Sequence, residues 1–277
     1  HLGISGKIVY NKSKKVFHYF LAIRDITADV ELQYFQKTDY TIAVLSKKNL
    51  DLLKAQKTIE AQKKMLISLV CSLLEEHNKE TSIHIKRIQY VTHIITNECY
   101  RLGIVKHAPY DVGQYLQDIA YTSALHDIGK IRVPANIIAK TQGLRKEEYD
   151  LLKNHTKAGA IYIKRIINLL EQDSAYAPYI DFLKIPYSIC LYHHERWDGT
   201  GYPEGKAGTA IPLPARIVAI ADAYDAMRSN RTYNIPKSHA EAVQEIVAQS
   251  GKQFDPSLVR VFSGCAAALE DLDYSNG

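Results

Sequence analysis

A histidine followed directly by an aspartate, His126-Asp127, is the pair in this sequence best suited to metal chemistry. An imidazole nitrogen and a carboxylate oxygen both bind divalent metals, and adjacent residues at a helix end can point at one ion. The apolar spacing from Tyr115 to Leu125 predicts a mostly buried helix before the pair, and Gly129 predicts the break after it. Such a pair is more often structural, so it does not establish a metal site alone.

Further imidazoles and carboxylates occur on predicted helices elsewhere in the chain. Glu80 and His84 are four residues apart and therefore share one face of a helix. Asp222 lies in an almost wholly apolar helix, where a carboxylate is costly unless it is paired or bound to a metal. Each residue alone has an ordinary structural explanation, but together they exceed what a helical core needs. The set consists of Glu80, His84, His126, Asp127, His155, His193, His194 and Asp222.

The elements that must position this set are helices joined by short loops. From Cys71 to the end the sequence predicts an all-α bundle. The helices that carry the set or pack against it are predicted at residues 80–102, 144–170, 185–194, 214–227 and 239–250. The stretch from Glu171 to Phe182 is polar and predicts an irregular connection, either a lid or a dimer contact.

The N-terminal residues differ from the rest, because their apolar and polar side chains alternate as in β-strands. Strands are predicted at Gly6–Tyr10 and Val16–Ile23, followed by an Asp-Ile-Thr run. This segment resembles the last two strands of a PAS sensor domain. Because two strands cannot bury a core alone, the sensor is expected to be truncated or to pack on another part.

A long polar helix is predicted next, and its apolar residues recur every seven positions. They are Leu45, Leu52, Ile59, Leu66 and Leu73. This spacing is typical of one seam of a coiled coil, although the companion seam is polar. We interpret residues 36–74 as a signalling helix that forms a parallel homodimer; a helix packed on its own domain is the alternative. The predicted division is residues 1–35, 36–74 and 75–277.

The composition is that of an ordinary globular chain of 277 residues, with 46% hydrophobic and 23% charged residues. A net charge of +5 suits an anionic substrate and does not indicate binding to a nucleic acid polymer. The four cysteines lack metal-ligand spacing and are predicted to be buried free thiols. No apolar run approaches a membrane span, and we expect a cytoplasmic protein. Because the chain begins with His1, we expect a fragment, whose upstream part could carry a membrane tether.

Two runs carry a family resemblance: His193 to Pro203 (HHERWDGTGYP) and His126 to Lys130 (HDIGK). Together they resemble the HD-GYP domain, a branch of the HD phosphohydrolase superfamily, over roughly residues 71–262. The resemblance implies a helical bundle around two or three divalent ions, iron or alternatively manganese. It also implies a phosphodiesterase of the bacterial second messenger cyclic di-GMP.

Carried over by position, the resemblance makes the whole set metal ligands. Asp127 would bridge two ions, and Glu80 with His84 matches the pair that holds a third. The ions would lower the pKa of a shared water, so that a hydroxide attacks phosphorus in line with the departing 3′ oxygen. Asp127 and Lys130 are therefore the expected catalytic residues, with Lys130 assisting the leaving oxygen.

The resemblance also implies substrate contacts. Tyr202, in a tight glycine loop, is expected at the cavity edge, where it can stack on a base or donate to a phosphate. Arg231 matches the arginine that holds phosphate or guanine. Asn234 stands where the family usually has a second basic residue, which puts one contact in doubt. Within the loop, Trp197 is interpreted as packing and Asp198 as a hydrogen-bond acceptor.

The expected reaction opens cyclic di-GMP to linear pGpG, and it either ends there or continues by a second cleavage to GMP. One alternative is a non-catalytic receptor that senses the nucleotide and signals through a protein partner, which the glycine loop would contact. Another is hydrolysis of a mixed cyclic GMP-AMP, which Asn234 keeps open. Every metal position of the pattern is filled, which favours the enzyme.

Overall fold

The computed structural model describes residues 2–10, 16–25, 27–78, 82–140, 143–229, 235–272 and 274. Within these ranges, side chains are described from Lys37 onward, except at residues 39, 73–78, 82 and 178. The chain divides into two compact units, His1–Lys63 and Lys64–Gly277. This boundary lies inside one long helix, whereas the sequence places boundaries after residues 35 and 74. The division into three parts therefore stays a prediction.

The first unit contains an antiparallel pair of strands followed by most of a long helix. Strand β1 (Leu2–Tyr10) pairs with β2 (Val16–Asp25). Helix α1 extends over Thr27–Asn78. The short N-terminal β segment and the long helix are both confirmed, with strands slightly longer than predicted.

The second unit is helical in its described parts, which confirms the all-α prediction. Its helices are α2 (Ser82–Arg101), α3 (Val112–Thr122), α4 (Ala135–Ile138), α5 (Lys146–Leu170), α6 (Ala177–Tyr192), α7 (Leu213–Arg228), α8 (His239–Ala248) and α9 (Pro256–Cys265). The connection predicted to end at Phe182 is wrong in its second half, because α6 already begins at Ala177. A proline in the first turn suits this start, since its missing N–H has no helical partner there.

The core of this unit forms around α7, which packs on α2, α6, α8 and α9. Ile217, Ile220 and Tyr224 of α7 are fully buried, as are Ile95 of α2 and Phe262 of α9. Because α7 is enclosed on several sides, its polar side chains must find partners within the protein or bind a ligand.

The cysteines of this unit are free thiols, as predicted, and three of the four are buried. All four cysteines are thiols outside any disulfide, with Cys71, Cys99 and Cys190 buried and Cys265 partly buried. No helix in the described residues is long and apolar enough to cross a membrane.

Gly129 lies inside a tight 3-10 turn, Ile128–Arg132, so the prediction that it marks a helix break is wrong. The turn packs directly on α5. A Cβ atom at this position would lie 1.8 Å from the backbone oxygen of His155 and 2.5 Å from the backbone nitrogen of Gly159. Glycine is therefore required by the close approach of two backbones, and that approach brings Asp127 next to α5.

Candidate metal centre

Asp127 lies at the centre of the candidate site, in the turn that follows α3, and its side chain is buried. Its Oδ2 lies 2.6 Å from Nζ of Lys130 and 3.1 Å from Nε2 of His126. Its Oδ1 lies 3.1 Å from Nε2 of His155 on α5. Side chains from two separate parts of the chain therefore meet at one carboxylate.

Three histidines around Asp127 are oriented by hydrogen bonds to backbone carbonyls. A carbonyl oxygen only accepts, so Nδ1 of each imidazole must donate, which puts the lone pair of the neutral ring on Nε2. The bonds join Nδ1 of His126 to O of Ser123 (2.9 Å), Nδ1 of His155 to O of Leu152 (2.7 Å) and Nδ1 of His193 to O of Ile189 (2.9 Å). This is the arrangement by which proteins fix metal-binding imidazoles.

The spacing between two of these imidazoles is that of ligands on one ion. Nε2 of His155 and Nε2 of His193 lie 3.5 Å apart. Two nitrogens bound tetrahedrally at ~2.1 Å from one ion are ~3.4 Å apart. Two lone pairs facing each other at this distance repel, and a cation between them removes the repulsion.

The potential ligands form two overlapping groups, and within each group the ligand atoms lie within 4.8 Å of one another. The first group is Asp127, His155, His193 and His194, and the second is His84, His126 and Asp127. Asp127 belongs to both groups, which is the position a bridging carboxylate needs.

His84 is held by a buried network that joins α2 to α7. Its Nδ1 lies 2.6 Å from Oδ2 of Asp225, and Nε of Arg87 donates to Oδ1 of Asp225 at 2.6 Å. Arg87 also donates through Nη2 to Oγ of Ser229 at 2.9 Å. Burial raises the pKa of the Asp225 carboxyl, but the bonds from His84 and Arg87 hold it below its usual value. Because Nδ1 of His84 is engaged by a carboxylate, metal coordination by this ring would use Nε2.

The protonation states at the centre are those that metal binding requires. Burial raises the pKa of Asp127, but Lys130, His126 and His155 outweigh it and hold the pKa well below its usual range. Burial lowers the pKa of His193 well below its usual value and that of His194 to about 4. At neutral pH the carboxylate is ionised and both of these imidazoles are neutral, as ligands must be.

The donor set fits a divalent transition metal. Oδ1 of Asp127 is buried and has no hydrogen-bond partner among the described residues. A buried carboxylate oxygen without a hydrogen-bond partner destabilises the fold unless a cation binds it. Cys190 contributes no thiolate, because its Sγ donates to the backbone oxygen of Leu125 at 3.0 Å and burial raises its pKa. Imidazole nitrogens and a carboxylate oxygen are ligands that divalent transition metals accept.

The loop between α6 and α7 packs against His194. The backbone nitrogen of Tyr202 donates to the backbone oxygen of His194 at 3.2 Å, and the two rings lie 4.9 Å apart with planes inclined by 31°. A Cβ atom on Gly201 would lie 2.4 Å from the backbone nitrogen of Arg196, so glycine is required here. The loop therefore fixes the Tyr202 ring against His194.

Asp198 stabilises this loop from within. Its Oδ1 accepts from the backbone nitrogen and from Oγ1 of Thr200, at 3.0 and 2.6 Å, and these bonds lower its pKa to about 2. The backbone nitrogen of Trp197 donates to Gln253, and its ring lies 5.9 Å from the Arg216 guanidinium. The prediction that Asp198 is a hydrogen-bond acceptor within the loop is confirmed. The packing role of Trp197 stays a prediction.

The remaining predicted site residues have different positions. Asp222 is partly buried on α7 and acts electrostatically on His194, but it belongs to neither of the two groups. Glu80, Arg231 and Asn234 lie outside the described residues. Their assigned roles stay predictions.

Asp225, Arg87 and Ser229 were not among the residues predicted from the sequence. A signal was present, since Asp225 lies on the same apolar helix as Asp222 and a buried carboxylate needs a partner. Arg87 follows His84 by three positions, which puts both on one face of α2. The buried carboxylate of Asp225 and the shared face of His84 and Arg87 could together have predicted a contact between α2 and α7.

The second unit is a helical bundle in which histidines and an aspartate form two overlapping ligand groups. The protein is therefore of the class of all-α proteins with a candidate metal centre. The family model described as "HD domain" matches residues 64–258. The chain belongs to the HD domain family.

Curated relatives carry names that describe cyclic dinucleotide chemistry. A cyclic di-GMP phosphodiesterase of Vibrio cholerae serotype O1 is 34% identical over 222 residues, which cover 80% of this chain and 43% of the relative. A cyclic di-GMP phosphodiesterase of Thermotoga maritima is 34% identical over 207 residues, covering 75% and 50%. A "3'3'-cGAMP-specific phosphodiesterase 2" of V. cholerae is 31% identical over 199 residues, covering 72% and 34%. The chain spans half the length of these relatives or less.

Proposed function

We propose that the chain is a metal-dependent phosphodiesterase of the HD-GYP type that hydrolyses cyclic di-GMP to linear pGpG. The observation that carries this proposal is the convergence of the imidazoles of His126, His155 and His193 on Asp127, with the Lys130 ammonium at the same carboxylate. The names of the relatives support the choice of substrate.

The two groups of ligands would hold two divalent ions, with a third ion at His84 and Glu80. Iron is the metal that we propose, and manganese is the alternative. When bound, the ions supply Lewis-acid polarisation of the scissile phosphate and of the attacking water. Asp127, ionised and shared by both groups, is the residue that would contribute to both ion sites.

Hydrolysis adds water across one P–O3′ bond. A new bond forms between the water oxygen and phosphorus while the water releases one proton to solvent, the P–O3′ bond breaks, and the departing 3′ oxygen takes up one proton. Lys130 is the proposed donor of this proton, because its Nζ lies 2.6 Å from Asp127, beside the proposed phosphate position, and is partly buried. A second cleavage of pGpG by the same chemistry would yield GMP.

Tyr202 is the proposed contact to the substrate from the glycine loop. Its ring is held against His194, and burial raises the pKa of its hydroxyl, which is therefore protonated at neutral pH and able to donate to a phosphate. Arg231 is proposed as a second contact. The same glycine loop is the proposed surface for protein partners. For the protein as a whole we propose a cytoplasmic location.

The relative named for 3'3'-cGAMP favours one second candidate, a phosphodiesterase of the mixed cyclic GMP-AMP. Asn234, in place of a basic residue, is compatible with that candidate. The test is to load the purified chain anaerobically with Fe(II) or Mn(II) and to follow both cyclic dinucleotides by chromatography in parallel.

We expect faster turnover of cyclic di-GMP, with pGpG as the first product. His126→Ala and Asp127→Ala are expected to abolish turnover, since each removes a ligand. Undiminished turnover in both variants would contradict the assigned site. Faster turnover of the mixed cyclic GMP-AMP would show that it, and not cyclic di-GMP, is the preferred substrate.

A further inference from the structure

A cleft of about 420 Å³ runs along the exposed face of α5. One wall is formed by side chains of α5 that recur at helical spacing, including Leu151, Ile161 and Arg165. The other wall is formed by Arg132 and the two residues that follow it, at the end of the 3-10 turn after Asp127. We call this depression the α5 cleft.

The charge of the α5 cleft has one sign. Arg132, Lys157 and Arg165 line it, and none of the described residues that line it is an aspartate or a glutamate. Neighbouring cations outside the cleft have partners, since Lys153 pairs with an aspartate and Lys164 with a glutamate. The three cleft cations form no ion pair within the part of the chain that the structure describes. Their combined field therefore favours an anionic ligand.

The cleft also offers apolar surface. Leu151 and Ile161 line it and remain 48% and 52% exposed. An aliphatic wall beside guanidinium groups suits a ligand that joins a flat base to a phosphate, because arginine binds phosphate oxygens through a fork of donors and stacks on rings. A simple inorganic anion would leave the apolar wall unused.

The α5 cleft shares one residue with the candidate metal centre. His155, a member of the first ligand group, also lines the cleft. Lys157 lines both this cleft and the neighbouring depression that contains Tyr202 and Pro203. A ligand that occupies the metal centre through one phosphate can thus extend along α5.

We propose that the α5 cleft binds the second nucleotide of the cyclic dinucleotide, whose phosphate contacts Arg132, Lys157 and Arg165 and whose base packs on Leu151 and Ile161. This inference rests on the proposed function. A cyclic dinucleotide has two phosphodiesters, and the metal centre can cleave only one of them at a time. The other phosphodiester carries a negative charge that needs a positively charged partner elsewhere. The side chains of Arg132, Lys157 and Arg165 are that partner.

The test compares two substrates that differ in this second phosphate. The full chain loaded with Mn(II) is assayed with cyclic di-GMP and with bis(p-nitrophenyl) phosphate, which has one phosphodiester and no second nucleotide. The variants are Arg132→Ala, Arg165→Ala and the double variant. Lys164→Ala is the matched control, because it removes an exposed cation of α5 that does not line the cleft.

For cyclic di-GMP we expect KM to rise about tenfold in each single variant and further in the double variant, with kcat nearly unchanged. For bis(p-nitrophenyl) phosphate we expect kcat/KM to stay at the wild-type value, and Lys164→Ala to match the wild type on both substrates. Metal content and Tm of each variant are measured alongside to confirm folding.

An unchanged KM for cyclic di-GMP in the double variant would overturn the inference while leaving the proposed function intact. Equal losses on both substrates would also overturn it, since the effect would then arise at the metal centre. A wild-type chain that cleaves bis(p-nitrophenyl) phosphate but neither cyclic dinucleotide would overturn the proposed function, and the second-nucleotide assignment with it.

Discussion

Nδ1 of His84 and Oδ2 of Asp225 lie 2.6 Å apart, although 141 positions separate the two residues in the chain. The contact joins α2 to α7 and places a carboxylate behind an imidazole of the second ligand group. Carboxylates in this position orient metal-binding imidazoles and raise their basicity. Asp225 is therefore a positioning residue for the His84 side of the centre.

Replacing Asp225 with asparagine tests this role. Asp225→Asn keeps the shape but removes the negative charge opposite Arg87, which is buried. We expect about 3 kcal/mol of lost stability, because a buried cation loses its counter-ion. We also expect metal affinity to fall about tenfold. Chemical denaturation measures the first effect, and titration with Mn(II) followed by metal analysis measures the second.

The control for that substitution is Asp181→Asn, which removes a carboxylate that pairs with the exposed Lys184 at 2.8 Å. It should change neither quantity, since exposed pairs contribute little. If Asp225→Asn lowered stability but bound metal as tightly as the wild type, its role would be structural and the positioning role would be wrong.

The turn that carries Asp127 provides a second prediction. In Gly129→Ala the new Cβ would lie 1.8 Å from the backbone oxygen of His155. Neither backbone can yield cheaply, so we expect a loss of about 3 kcal/mol and a Tm lower by about 10 °C. Gly143→Ala is the control, because a Cβ there meets no atom within 4 Å. Equal Tm values for the two variants would contradict the close approach.

Gly129 also illustrates what a sequence can and cannot predict. Local periodicity predicts the helices, and the residue types and spacing of His84, His126 and His193 predict a shared set of ligands. The reason for Gly129 lies in a contact with α5, which no local pattern contains. Likewise, the pairing of His84 with Asp225 depends on how α7 is rotated against α2. Tertiary packing decides such questions, and a single sequence reflects it only indirectly.

Lys130 provides a third prediction, which separates catalysis from metal binding. Lys130→Met keeps the length of the side chain but removes the ammonium 2.6 Å from Oδ2 of Asp127. We expect kcat for cyclic di-GMP to fall about 100-fold, because the departing 3′ oxygen loses its proton donor. KM and metal content should change little. Steady-state kinetics and metal analysis on the same preparation measure both.

The chain offers a matched control for this variant in Lys184, which also pairs with an aspartate three positions earlier but is exposed. Lys184→Met should be indistinguishable from the wild type. A Lys130→Met variant with wild-type kcat would exclude the lysine from proton transfer. A variant that loses its metal would instead assign Lys130 to holding Asp127 in place.

The apolar seam of α1 provides the last prediction. Leu45, Leu52 and Ile59 are 54%, 67% and 43% exposed in the single chain, at seven-residue spacing. Exposed leucines at this spacing favour a paired helix, so we expect a homodimer by light scattering coupled to size exclusion. Leu52→Lys places a charge in the seam and should shift the chain to monomers at micromolar concentration. Lys57→Glu, five positions further on and off the seam, is the control and should remain dimeric. A wild-type monomer would refute the dimer and favour a helix that acts within one chain.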